Sequence, residues 1–81
     1  MRLSYIVSKN IKYYREKVNM TDKDLSMMLG RDEEFIYKLE NNKLKKTPPL
    51  SLIEKVASIL KVSVKDLVDD AKCKWFLWRN I

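Results

Sequence analysis

The amino-acid sequence predicts an all-α domain of about five helices. Three observations carry that expectation. Apolar residues recur three and four positions apart through most of the chain, which is the period of one helix face. A hydroxyl residue followed three positions later by Asp occurs twice, as Thr21 with Asp24 and as Ser63 with Asp66, each just ahead of such a face. One Gly and two Pro in 81 residues leave few points at which a helix must break.

The elements follow in order. Residues 5–18 form the first helix, with Val7, Ile11, Tyr14 and Val18 on one face. Residues 21–29 form a second, shorter helix that Thr21 and Asp24 open as a capping box. Leu25, Met28 and Leu29 make its apolar face, and Gly30 ends it. Asp32 caps a third helix running to about Asn41, with Glu33 and Glu34 in its first turn and Phe35, Ile36 and Leu39 inward. Residues 42–49 read as a lysine-rich loop closed by Thr47-Pro48-Pro49. A fourth helix covers residues 50–60, burying Leu52 or Ile53 with Val56, Ala57 and Leu60. Ser63 and Asp66 then open a fifth through Leu67 and Val68.

Composition narrows the function. Histidine is absent, which removes the commonest general base, the His-paired nucleophiles and most zinc sites. No nucleophile–base pair, metal cluster or phosphate loop is visible, so neither an enzyme nor a cofactor is expected. Cys73 is the single cysteine and has no internal disulfide partner. The longest apolar runs are about four residues, too short for a signal peptide or for the ~20-residue span of a membrane. A cytoplasmic protein is expected. Seventeen Lys and Arg against eleven Asp and Glu leave a net charge of +6, which favours a polyanionic partner, most simply nucleic acid.

Residues 21–40 place two short helices around Gly30. Leu25-Ser26, Leu29-Gly30, Ile36 and Leu39 suit a helix-turn-helix, with small Ser26 where the helices approach closely. A generic helical hairpin shares that pattern. The wider frame is more specific: Ile11 with Arg15, residues 21–25, Leu29-Gly30, Ile36, Leu39-Glu40, Pro48, Val56-Ala57, Leu60, Val62-Ser63 and Leu67. Through these residues the chain resembles the helix-turn-helix family of phage Cro and CI repressors, with a loop before Pro48 that is a residue or two longer.

The resemblance implies a five-helix lambda-repressor-like DNA-binding domain over residues 1–70, followed by a short aromatic C-terminal extension over 71–81. It implies a small transcription regulator, most simply a repressor, of the kind frequent on phages, plasmids and conjugative elements. The third helix becomes the recognition helix, with Glu33, Glu34, Tyr37 and Lys38 at its base-reading positions. Thr21, Asn41, Lys43, Lys45 and Lys46 match positions that hold DNA phosphates. Arg15 and Glu40 match an internal salt bridge. The brevity of Cro-like chains implies no separate effector domain.

The chain departs from the family in charge. Residues 21–34 carry Asp22, Asp24, Asp32, Glu33 and Glu34 against Lys23 and Arg31, a net −3 where DNA approaches most closely. Three readings stay open. The acids serve as caps and dipole partners; or Glu33 or Glu34 accepts from a cytosine amino group; or the face binds a protein instead of DNA. Bulky Phe35 and Tyr37 lean toward the last.

The extension holds Trp75, Phe76, Leu77 and Trp78. It reads either as a continued helix with Leu67, Ala71, Trp75 and Trp78 in one stripe, or as a strand over residues 74–81. Its apolar surface either folds back on the domain or forms a two-fold seam. The seam, with Leu67, Val68, Trp75, Phe76 and Trp78 at a homodimer interface, matches a palindromic duplex operator with half-sites about one helical turn apart.

Overall fold

Five helices order the computed structural model, which describes residues 3–41 and 48–69. They are α1 (Leu3–Lys17), α2 (Asp22–Met28), α3 (Phe35–Glu40), α4 (Leu50–Leu60) and α5 (Val64–Val68). Among the described residues there is no strand. The all-α expectation therefore stands for them. The loop lysines and the residues of the aromatic extension lie outside the described residues.

α1 is the central element and packs against α3, α4 and α5. Its inner face of Val7, Ile11 and Tyr14 meets Leu25, Ile36, Leu39, Val56, Leu60 and Leu67 in one buried cluster. Burial pushes the Tyr14 phenol above its ordinary range, with the Asp66 carboxylate adding to the shift. Both Leu52 and Ile53 are buried on α4, so the choice between them does not arise.

Three expectations about apolar residues need correction. Val18 is exposed, because α1 ends at Lys17 and Val18 falls in the turn that Asn19 completes at φ +57°, off the inner face of the helix. Met28 is also exposed, one residue before the turn that closes α2. Leu67 is fully buried inside the domain (0% exposed), and Val68 packs partly buried against the same core. Leu67 is thus a core residue whose side chain has no surface to offer a second copy.

The helix ends explain why so few glycines suffice. After α1, Asn19 and Met20 donate their amides to Glu16 O and Arg15 O, at 3.1 Å each. After α2, Gly30 and Arg31 donate to Met27 O and Ser26 O, at 3.0 Å each. After α4, Lys61 and Val62 donate to Ser58 O and Ala57 O. Each is a paired C-terminal closure around one left-handed residue, and only the second uses glycine. At α5 the capping box is complete: Ser63 Oγ accepts from Asp66 N, and Asp66 Oδ2 accepts from Ser63 N, both at 3.1 Å. Asn10, buried on α1, donates Nδ2 to Leu67 O and Asp69 O at 2.8 Å and so fastens the end of α5.

Candidate nucleic-acid interface

α2 and α3 are joined by residues that convert a helical hairpin into a fixed angle. Thr21 has extended backbone, and its hydroxyl accepts from Asp24 N at 3.0 Å, satisfying one orphan amide of α2. Gly30 sits at φ +71° with open space where a Cβ would stand, so its glycine serves the backbone conformation alone. Ser26 is the joint. Its buried Oγ donates to Asp22 O at 2.9 Å and accepts the Ile36 amide at 3.0 Å. Its small size was legible in the sequence. Its second role, as the acceptor for an orphan amide of α3, was missed, although a buried serine facing a helix start is the signal for it.

The start of α3 differs from expectation. Asp32 does not cap it; Phe35 N instead donates to Asp32 backbone O at 2.9 Å, closing a turn over residues 32–35. Helix begins only at Phe35, and the Glu34 side chain makes no capping bond. Glu33 and Glu34 therefore stand in the turn ahead of α3 and not in its first turn. Phe35 is half-buried, whereas Ile36 and Leu39 are inward.

The inner side of α3 is locked to α1. Arg15 Nε and Nη2 donate to Glu40 Oε2 and Oε1, both at 2.8 Å, and Arg15 Nη1 donates to Met20 O at 2.7 Å. The two side chains are only 10% and 5% exposed. Hydrogen bonding to Glu40 holds the Arg15 guanidinium above its ordinary range, against the opposing effect of burial. Ser8 Oγ adds a contact 2.8 Å from Leu39 O. One guanidinium thus joins α1, the turn after it and the end of α3.

The outer side is open. Glu33, Glu34, Tyr37, Lys38 and Asn41 are all exposed. Lys23 Nζ lies 3.5 Å from Glu33, and Lys38 Nζ lies 3.8 Å from Glu34, in pairs that water screens. With Asp22, Lys23 and Tyr37 these groups line a shallow cleft between the start of α2 and α3. Asn41 turns Nδ2 back to Tyr37 O at 2.7 Å and closes the end of α3. Arg31, in the turn, lies with Cζ 5.0 Å from the centroid of the Phe35 ring. The fold therefore brings together Glu33, Glu34, Tyr37 and Lys38 beside Asp22 and Lys23, with Asn41 bonded to Tyr37 O and Thr21 capping α2, while Arg15 and Glu40 are buried between α1 and α3. Lys43, Lys45, Lys46, Trp75, Phe76 and Trp78 are outside the described residues. No group of three or more metal-ligating side chains occurs among the described residues, and no helix there is long and apolar enough to cross a membrane.

The sequence profile of a family described as Helix-turn-helix matches residues 11–67. No curated protein matches the chain. Among solved structures, a crystal structure of a hypothetical transcription factor, NHTF from Neisseria, is similar with a TM-score of 0.78 at 22% identity. The match covers 94% of this chain and 85% of that one. At that identity the likeness speaks to the fold.

Proposed function

The chain belongs to the helix-turn-helix family of the Cro/CI type, whose members are DNA-binding transcription regulators, and on that premise we propose that it is a repressor binding a palindromic duplex operator as a homodimer. The observation that carries the reading is the two-sidedness of α3. Its inner side is tied to α1 by Arg15 and Glu40, and its outer side presents Tyr37 and Lys38 beside the start of α2. A helix held from behind and bare in front is shaped to enter the major groove.

In this reading Glu33, Glu34, Tyr37 and Lys38 face base edges. Neither glutamate is needed as a cap: Glu34 makes no capping bond and Glu33 pairs with Lys23. Their oxygens are acceptors, and the major-groove donor they suit is the cytosine amino group. Thr21, Asn41, Lys43, Lys45 and Lys46 take phosphates, which offsets the local negative charge. Trp75, Phe76 and Trp78 supply the apolar seam of the dimer, and the protein works in the cytoplasm, where its operator is.

A second reading is favoured by the five carboxylates of residues 21–34, namely that this face binds a basic protein instead of DNA. Selection from a random duplex pool at two salt concentrations separates the two. Enrichment of a palindrome containing cytosine, retained at the higher salt, is expected. Unselective binding that disappears with salt would refute operator recognition and favour the protein partner.

A further inference from the structure

We infer that Arg31, stacked on Phe35, is a phosphate-binding and positioning residue for the recognition helix; this rests on the DNA-binding reading above. The argument begins with the faces of α3. At 100° per residue, buried Ile36, Leu39 and Glu40 define one side, and Glu34, Lys38 and Asn41 lie opposite. Phe35 and Tyr37 fall on the two shoulders between. The Tyr37 shoulder borders the cleft shared with Asp22 and Lys23 at the start of α2. The Phe35 shoulder faces away from it, and there Arg31 lies over the ring at 5.0 Å.

A helix is about 10–12 Å across and the major groove about 12 Å wide, so both shoulders of an inserted helix come close to a phosphate strand. The start of α2 serves one strand. Arg31 is the cation placed for the other. It differs from its neighbours in being uncommitted: Lys23 pairs with Glu33 and Lys38 with Glu34, whereas among the described residues Arg31 has no carboxylate within ion-pair distance. Its guanidinium lies over the ring, 5.0 Å from the centroid, and its planar set of N–H donors suits the bidentate geometry that phosphate accepts.

The placement also explains Phe35, a bulky residue on an otherwise polar approach. Phe35 is half-buried and packed against the core, so it is a platform rooted in the domain rather than a free aromatic for a protein partner. Gly30 contributes by turning the chain at φ +71°, and the Arg31 amide is fixed to Ser26 O at 3.0 Å. Both ends of the stack are thereby anchored to α2 and α3.

The test measures binding of the full chain to a random-sequence duplex across a salt series, since phosphate contacts do not depend on sequence. R31Q is expected to make the log–log salt slope shallower by about 0.9, so that the advantage of the unmodified chain shrinks about 3.5-fold for each fourfold rise in salt. R31K keeps the slope with weaker binding, and F35L weakens binding at unchanged slope. K65Q, on α5 away from α3, leaves the slope unchanged and controls for net charge. The thermal midpoint of R31Q falls by no more than about a few degrees, because the side chain is exposed and only its contact with the ring is lost. An R31Q slope equal to that of the unmodified chain would overturn the assignment while leaving DNA binding intact. No salt-dependent duplex binding by the unmodified chain would overturn both.

Discussion

Two ion pairs that α3 makes among the described residues differ in everything except their chemistry. On its inner side, Glu40 meets Arg15 through two hydrogen bonds of 2.8 Å, almost sealed from water. On its outer side, Lys38 stands 3.8 Å from Glu34, and both side chains are exposed. A buried bidentate pair cannot be left half-made, because a lone charge in the interior is costly. An exposed pair contributes at most about 0.5 kcal/mol and exchanges partners freely. The same helix therefore has a side that fixes it and a side whose charges can be spent on a ligand.

Breaking the inner pair is expected to have the largest effect. Glu40→Ala leaves Arg15 buried without its carboxylate and should cost about 3–5 kcal/mol. That is a large share of the roughly 4–12 kcal/mol that a chain of this length holds. Urea unfolding checks it, and a loss under about 1 kcal/mol would mean the pair is more hydrated than its geometry indicates. Ser26→Ala comes next. It strips the Ile36 amide of its acceptor within a buried joint and should cost about 1–3 kcal/mol by the same measurement. The outer side should respond least: Glu33→Gln with Glu34→Gln is expected to move stability by no more than about 0.5 kcal/mol.

This contrast was unevenly legible in the sequence. Helix positions follow from local signals that survive packing: the Thr21 and Ser63 caps, the glycine after Leu29 and the period-3.6 pattern of α4. The inner pair came from resemblance, since nothing in composition sets Arg15 opposite Glu40. Errors gather at helix ends, where a residue belongs to the face or to the turn according to a single left-handed residue. The apolar period points Val18 and Met28 inward for that reason, and both lie outside. Asp32 carries the usual cap chemistry, yet the backbone oxygen of Asp32, not its side chain, receives the first amide of α3, that of Phe35. The Arg31–Phe35 stack was also missed, although a cation four residues before an aromatic is a readable signal when the intervening chain turns tightly.

The central claim is that the outer side of α3 and the glutamates of the turn leading into it carry recognition, while the inner side of α3 carries the fold. The most direct test selects duplexes from one random pool in parallel with the unmodified chain and with the Glu33→Gln, Glu34→Gln double variant, melting both proteins alongside. Glutamine keeps the size of glutamate but adds the donor that pairs with adenine. The account expects matching melts and a changed preference, with cytosine giving way to adenine at one or two positions of each half-site. Identical enriched sequences from both proteins would contradict it.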